Sequence, residues 1–171
     1  SAKNNKNLIL YGGEGADEIF LGYECYSASK NIISKYNSIN SNFCFDQNLH
    51  ENVNNGPINK YIDSLKKYYY KIFNQIHNLG EKESQLKVES IIDIIIQLSN
   101  VGLITTDTIN SDLGIESRTP FTRRKLVEFG LSSPISKLID FSNPNPINKI
   151  PIKHVFENYF SKELVMQKKG F

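Results

Sequence analysis

The feature that most constrains the fold is a single strand-like run near the start of the chain. Leu8–Tyr11 places four apolar residues in a row, and the run ends at Gly12 and Gly13. A run of this kind is typical of a short strand buried on both faces of a parallel sheet. A lone strand cannot satisfy its own edges. The chain is therefore either a helical body with one extended segment or the latter part of an α/β domain whose other strands lie outside it. The position of the strand favours the second.

The rest of the chain carries helical patterns. Apolar residues at helical spacing predict helices over the following ranges: 16 to about 36, 58 to about 79 (ended by Gly80), 88–98, part of 100–112, 125 to about 131, and 152–160. Residues 38–57 are Asn-rich and predict a flexible insertion, and residues 142–148 predict a rigid, turn-rich linker. Tyr68, Tyr69 and Tyr70 predict core and rim positions rather than a base-stacking platform, because no basic stripe accompanies them.

Composition excludes several classes of protein. The chain has 171 residues, which favours one domain, and its net charge is +2, which gives no electrostatic footprint for nucleic acid. Cys25 and Cys44 have neither the number nor the spacing of a disulfide scaffold or a zinc site. We find no apolar run near the ~20 residues that span a bilayer. We therefore expect a soluble, cytoplasmic protein that binds neither membrane nor nucleic acid.

The segment from Gly12 to Glu18 is the first that carries chemistry. Its glycines let the backbone approach a ligand closely, and the predicted helix that follows adds a positive N-terminus, so the pattern suits an anion. The carboxylates Glu14, Asp17 and Glu18 crowd the same turn, which makes sense beside a phosphate when Mg²⁺ lies between them. An ordinary acidic helix start explains the pattern equally well. The segment is neither a Walker loop nor a dinucleotide fingerprint.

Two further segments carry charged residues that qualify as candidates for a site. Glu116 and Arg118 flank one residue, so in an extended segment they point the same way and by default form a structural ion pair. The end of the chain, residues 167–171, places two lysines before Gly170. A lysine there would have to fold back onto the glycine-rich turn to act in catalysis.

Together the three segments resemble one family. Residues 13–23 (Gly-Glu-Gly-Ala-Asp-Glu-Ile-Phe-x-Gly-Tyr) resemble the second signature of the C-terminal synthetase domain of the asparagine synthetases. Residues 114–121, with Glu-x-Arg-x-Pro-Phe, and residues 168–171 resemble later segments of that domain, in the same order. The resemblance implies an α/β fold, in this chain the helix-rich, mostly α C-terminal part of an ATP-pyrophosphatase (adenine nucleotide α-hydrolase-like) domain. It makes residues 1–171 a single partial domain.

The resemblance also implies a reaction and its residues. The family activates a carboxylate as an acyl-adenylate with ATP and Mg²⁺, and an amine then displaces AMP. By position, Glu14 matches the active-site glutamate, Lys168 matches the lysine that stabilises the adenylation transition state, and Asp17 matches a ligand of Mg²⁺-pyrophosphate. Positions at the nucleotide match Gly12, Gly13 and Lys149. The substrate is then a small molecule such as aspartate, and the nitrogen comes from ammonia or from glutamine through a glutaminase domain or subunit elsewhere.

The chain also departs from the family pattern. The Ser-Gly-Gly-x-Asp-Ser loop that binds pyrophosphate is absent, so we expect this chain alone to be inactive. Gly12 stands where a Ser is usual. The main interpretation is a carbon–nitrogen ligase like glutamine-hydrolysing asparagine synthase. The alternatives are a degenerate, non-catalytic member of the family and a relative that closes macrolactam or β-lactam rings.

Overall fold

The structure, a computed structural model, describes residues 8–27, 56–76, 80–142 and 144–166. The chain divides into two compact units, one made of Ser1–Tyr23 and Ser90–Phe171 and the other of Glu24–Glu89. The elements in chain order are β1 (Leu8–Tyr11), α1 (Ala16–Ile19), α2 (Glu24–Ser27), α3 (Gly56–Ile76), α4 (Glu81–Asp93), a π-helix (Ile94–Gly102), α5 (Leu103–Asp112), β2 (Ile115–Arg118), a 3₁₀ turn (Pro120–Thr122), α6 (Arg124–Ser132), α7 (Ile135–Leu138), β3 (Ile139–Asp140), β4 (Ile147–Asn148), α8 (Ile150–Phe156) and α9 (Lys162–Met166).

The first strand lies in a parallel sheet, as predicted. β1 pairs with β2 from Leu8 opposite Ile115 to Tyr11 opposite Arg118, and the Gly12 amide extends the pair by donating to the Arg118 carbonyl at 2.8 Å. The prediction that β1 is buried on both faces is wrong, because its four side chains are 46–69% exposed. Within the described residues the sheet has two strands, so β1 has a strand neighbour on one edge alone.

The predicted helix over residues 16–36 is interrupted after one turn. α1 ends because Leu21 adopts the left-handed conformation (φ 55°) and the Gly22 amide donates to the Asp17 carbonyl at 2.7 Å. This bond from the second residue past the cap closes a Schellman motif. Leu21 is 1% exposed, so burial of its side chain offsets the unfavourable backbone conformation. Residues 28–36 lie outside the described part.

The predicted third and fourth helices are one continuous helix. α4 runs into the π-helix and on into α5, covering Glu81–Asp112. The side chains of Ser99 and Asn100 donate to the carbonyls five residues back, of Ile94 and Ile95, and the Leu103 amide donates to the Leu98 carbonyl. The Leu103 bond has the i→i−5 spacing that defines a π-helix, and the two side-chain bonds span the same interval. The shifted winding leaves Leu98 buried, as the helical pattern predicts, and Ile95 40% exposed.

This continuous helix bears on the membrane expectation. Its 32 residues contain an 18-residue window of mean hydropathy 1.5, so in the described part of the chain one helix is long and apolar enough to cross a membrane, where the sequence analysis expected none. Length and composition are weak indications, because the core helix of a soluble protein meets the same test. Ser90 and Asp93, on the same helix, are 2% and 0% exposed. The Ser90 hydroxyl donates to the Glu18 carbonyl at 2.7 Å, a contact made inside the protein.

The second unit contains α2, α3 and most of α4. The predicted helix over 58–79 is confirmed as α3, with the stretch 77–79 outside the described residues. Tyr69 is 5% exposed, and its ring lies 6.0 Å from that of Phe73, whereas Tyr68 and Tyr70 are 38% and 55% exposed. The run thus supplies one core residue and two rim residues, as predicted. Of the predicted insertion at 38–57, residues 56 and 57 begin α3 and the rest lies outside the described residues.

The first unit packs α6 tightly against α1. A Cβ at Gly130 would lie 2.6 Å from the Ile19 carbonyl oxygen, so the two backbones meet where a side chain does not fit. The Phe20 ring lies 6.2 Å from Phe121 and 6.3 Å from Phe129. Ile19 is fully buried. These contacts hold the segment that follows the glycines in one position.

The last elements differ in extent from their predictions. α6 confirms the helix predicted over 125–131. The predicted linker over 142–148 lies within an antiparallel pair of β3 and β4, with residue 143 outside the described part. The predicted helix over 152–160 is α8, which begins at Ile150 and ends at Phe156, because the Asn158 and Tyr159 amides turn back to Val155 and Phe156.

Candidate functional site

The glycine-rich segment opens onto a cavity of about 790 Å³ in the first unit. One side comes from the segment 12–23, which we name the glycine turn and of which residues 13–18 and 23 line the cavity. The opposite side comes from the segment 149–165, which we name the C-terminal wall. The π-helix and the 3₁₀ turn supply the remaining lining. The lining residues are Gly13, Glu14, Gly15, Ala16, Asp17, Glu18, Tyr23, Gln97, Leu98, Gly102, Phe121, Lys149, Ile152, Lys153, Phe156, Phe160, Leu164 and Val165.

Glu14 lies at the start of the glycine turn with its carboxylate folded back over Gly12. A Cβ at Gly12 would lie 1.8 Å from Glu14 Oε2, so the carboxylate occupies the space that a side chain would need. Oε1 accepts a hydrogen bond from the Thr106 hydroxyl at 3.1 Å. Oε2 is buried and accepts none from the residues that the structure describes. A carboxylate oxygen without a donor can accept an N–H from a ligand once it reaches one.

Asp17 and Lys149 join the two sides of the cavity. Lys149 Nζ lies 2.7 Å from Asp17 Oδ1, and the two side chains are 27% and 37% exposed. Gly22 makes this pair possible, because a Cβ there would lie 1.9 Å from Lys149 Cε and 2.0 Å from Asp17 Oδ1. Lys149 has a left-handed backbone (φ 57°) immediately before α8. Backbone strain of this kind costs about 1–3 kcal/mol and persists where surrounding contacts hold it.

Glu18 and Tyr23 form a second polar pair on the glycine turn. The Tyr23 hydroxyl donates to Glu18 Oε1 at 2.6 Å, and Glu18 is 5% exposed. Burial, followed by the hydrogen bond to Glu18, raises the pKa of Tyr23 far above its usual value. Tyr23 therefore stays protonated and donates a hydrogen bond to Glu18. The Asn148 side chain donates to the Tyr23 carbonyl at 3.0 Å, which links this pair to the residue before Lys149.

The C-terminal wall is largely apolar. Its cavity-facing residues include Phe156 and Phe160, whose rings lie 5.9 Å apart, and Ile152. Phe156 is 43% and Phe160 51% exposed. The cavity thus has a charged side, from the glycine turn, Lys149 and Lys153, and an apolar side. Such a combination is usual for small-molecule sites, in which a few polar groups orient a ligand against apolar walls.

The structure brings four of the six predicted site residues to this cavity: Gly13, Glu14, Asp17 and Lys149. Gly12 lies behind the Glu14 carboxylate, and its amide already donates to Arg118. Lys168 lies outside the described residues. The expected Glu116–Arg118 ion pair is present at 2.7 Å, with both side chains more than half exposed, and it does not line the cavity. α1 has four residues, so the expected helix N-terminus is one turn long.

The acidic side of the cavity is compatible with Mg²⁺ bound to phosphates. No group of three or more His, Cys, Asp and Glu side chains forms a metal cage among the residues that the structure describes. Mg²⁺ seldom needs one, because one or two carboxylates together with substrate phosphates usually hold it. Asp17, a partly exposed carboxylate in the cavity beside a lysine, is a donor of the right chemistry.

The family model for asparagine synthase matches residues 2–171. The chain belongs to the asparagine synthase family. No curated protein matches the chain, and no solved structure does. The family consists of ATP-using, amide-forming ligases with an ATP-pyrophosphatase type of domain and small-molecule substrates. The resemblance drawn from the three sequence segments is thereby confirmed.

Within this asparagine synthase domain, the sequence analysis did not find three features of the site, two on the cavity lining and one outside it. Thr106 reaches Glu14 from 92 residues away, and no local pattern marks it. Gln97 lines the cavity from the π-helix, whose wider winding differs from the 3.6-residue period on which the sequence analysis relies. Tyr23 was visible in the motif, and its spacing of five residues from Glu18 was the available signal for their hydrogen bond.

Proposed function

We propose that the protein is an asparagine synthetase-like ligase that uses ATP and Mg²⁺ to activate the side-chain carboxylate of aspartate and transfers ammonia to it. The observation that carries the proposal is the convergence of Glu14, Asp17 and Lys149 on one cavity, although the three residues come from the two ends of the described chain. The nitrogen is released from glutamine by a glutaminase domain or subunit outside this chain. We place the reaction in the cytoplasm.

The proposed reaction has two halves. In the first, a carboxylate oxygen attacks the α-phosphorus of ATP, pyrophosphate leaves, and an acyl-adenylate forms. Lys168 offsets the negative charge that develops on the phosphoryl oxygens, as a fixed cation does in phosphoryl chemistry, and Lys149 binds the phosphates. Asp17 would hold Mg²⁺, which, when bound, neutralises the pyrophosphate. The ion pair between Asp17 and Lys149 supports this division of roles, because it keeps a cation and an anion ready at the same point.

In the second half, the amine attacks the acyl carbon and AMP leaves. The attacking nitrogen must lose a proton, and Glu14 is the carboxylate placed to accept it at the start of the glycine turn. Its buried Oε2, which receives no hydrogen bond from the described part of the chain, supports that role. We also propose that the parallel sheet continues beyond β1 and β2, because among the described residues β1 has a strand neighbour on one edge alone.

The test is a pyrophosphate-release assay on the full-length gene product with Mg²⁺-ATP, aspartate and ammonia. We expect release that depends on both substrates and falls by about 10²–10⁴-fold in Glu14→Ala, the usual contribution of a positioned acid or base. Lys168→Ala tests the adenylation lysine, and Lys162→Ala is the matched control, because Lys162 is exposed on α9 and does not line the cavity. Wild-type rates in both Glu14→Ala and Lys168→Ala would contradict the residue roles.

A second candidate has a specific observation in its favour. The apolar side of the cavity, formed by Phe121, Ile152, Phe156 and Phe160, has room for an acyl group larger than that of aspartate. A relative that closes a macrolactam or β-lactam ring would use the same activation on such a substrate. Comparing aspartate with a peptide carboxylate in the same assay separates the two.

A degenerate, non-catalytic member would bind Mg²⁺-ATP weakly or not at all, which isothermal titration measures.

A further inference from the structure

The Glu14 carboxylate is held by two residues that the proposed reaction does not otherwise use. Thr106, near the start of α5, donates its hydroxyl to Oε1 at 3.1 Å. Gly12 leaves free the space in which Oε2 lies. Neither Gly12 nor Thr106 lines the cavity, so each acts through Glu14 and not on a ligand.

The Gly12 contact depends on the absence of a side chain at that position. A Cβ there would lie 1.8 Å from Oε2. That separation is far inside van der Waals contact, so any side chain at position 12 forces the carboxylate elsewhere. The nearest atoms belong to the flexible end of Glu14, and the displacement therefore moves one side chain and not the backbone.

We propose that Thr106 is a positioning residue for Glu14. The Thr106 hydroxyl and the absence of a side chain at Gly12 together fix the orientation of the carboxylate that accepts the proton. This inference rests on the proposed function, because it assigns a positioning residue to the general base of that reaction. A hydrogen bond to one carboxylate oxygen limits rotation about the last side-chain bond of Glu14. It thereby reduces the set of orientations that the carboxylate explores while an amine binds.

The test is Thr106→Val in the full-length gene product, because valine keeps the shape of threonine and removes the donor. We expect kcat for amide formation to fall about tenfold, the effect of losing one hydrogen bond to a charged group. KM for the carboxylate and carboxylate-dependent ATP–pyrophosphate exchange should stay unchanged, because neither needs the base. Thr106→Ser should restore kcat. Thr105→Val is the matched control, since Thr105 is exposed on the same helix.

Gly12→Ala tests the position of the same carboxylate at its other oxygen, Oε2. We expect it to lower kcat for amide formation, and we expect the double variant Gly12→Ala/Thr106→Val to be no worse than the poorer single variant, because either change alone frees the carboxylate. Strictly multiplicative effects would overturn the proposal. Unchanged kcat in Thr106→Val, or a faster rate, would also overturn it, since a faster rate means that the contact holds Glu14 away from the amine.

A failure of this inference can be told apart from a failure of the proposed function. If the wild-type protein forms no amide, the proposed function fails, and crystal structures of the wild type and Thr106→Val still decide the positioning. We expect the Glu14 carboxylate to leave its place over Gly12 in Thr106→Val and to keep it in Thr106→Ser. An unmoved carboxylate in Thr106→Val would overturn the inference whatever the activity.

Discussion

The two sides of the cavity differ in how firmly the first unit holds them. In the glycine turn, Ile19, Phe20 and Leu21 are 0–3% exposed, and Glu18 is tied to the long helix through Ser90. In the C-terminal wall, Val155, Tyr159 and Leu164 are 53–76% exposed, and α8 and α9 have seven and five residues. The proposed base and metal ligand therefore stand on the rigid side. The lysine comes from the side with little buried surface, which is where local opening is expected.

The largest expected effect comes from removing the ion pair that joins the two sides. Lys149→Met keeps the aliphatic stem and removes the charge, and we expect pyrophosphate release to fall by about 10²–10³-fold, the usual effect of losing one preorganised charge or donor. Steady-state assays against the Lys162→Met control measure it. If both variants lose the same activity, the effect is one of net charge, and the special position of Lys149 is refuted.

The next effect is on stability, and it compares the buried glycine turn with the exposed C-terminal wall. Gly130→Ala puts a methyl group 2.6 Å from the Ile19 carbonyl oxygen, so backbone must shift, and we expect the free energy of unfolding to fall by about 1–3 kcal/mol. Gly102→Ala is the control, because a Cβ there meets nothing closer than 3.8 Å. Val155→Ala, on the exposed wall, should change the same free energy by less than about 0.5 kcal/mol. Denaturant unfolding of the three variants measures these values, and equal losses would contradict the contrast.

Amide hydrogen exchange gives a smaller and more local comparison. The amides of Ile19, Phe20 and Gly22 donate within the buried glycine turn, whereas those of Lys153 and Glu157 donate within the exposed α8 region. We expect slower exchange in the first group, by about tenfold or more, because opening it exposes buried apolar surface. In Lys149→Met we expect exchange to accelerate in the second group alone. Equal protection of the two groups would contradict the difference in stability between the glycine turn and the C-terminal wall.

The smallest expected effect is a pH dependence at the turn that leads to the C-terminal wall. Hydrogen bonds from the Ser142 side chain and amide lower the pKa of Asp140, and the amide bond to Oδ1 is 2.8 Å long. A carboxyl whose folded pKa is lowered stabilises the fold above its unfolded pKa, near 3.8, and this contribution is lost as pH falls through the folded value. The side chain is exposed, so the effect is slight. Asp140→Asn should flatten the small stability loss below about pH 4; an unchanged slope would contradict the assignment.

The sequence predicts the local elements better than their arrangement. The strand Leu8–Tyr11, α3 and α6 follow from apolar periodicity and glycine punctuation, and the acidic residues of the site follow from one motif. The break after α1 does not, because it depends on a non-glycine residue, Leu21, in a left-handed conformation that its burial stabilises. The union of two predicted helices does not either, because the π-helix replaces the gap that periodicity suggests.

The site shows the same limit. Asp17 and Lys149 were each singled out from the sequence, but their direct contact was not, because it needs Gly22 to leave space for both side chains. Thr106 was missed entirely, since its contact with Glu14 joins segments 92 residues apart. The exposure of β1 was mispredicted because an apolar run does not reveal whether other elements will cover both faces of its sheet.

The most direct test of the central claim separates the two proposed half-reactions. Carboxylate-dependent ATP–pyrophosphate exchange reports activation alone, and amide product reports the whole reaction. We predict that wild type performs both, that Asp17→Asn loses both, and that Glu14→Gln keeps exchange while amide formation falls by about 10²-fold or more. Wild-type amide formation in Glu14→Gln, or undiminished exchange in Asp17→Asn, would contradict the roles given to the two sides of the cavity.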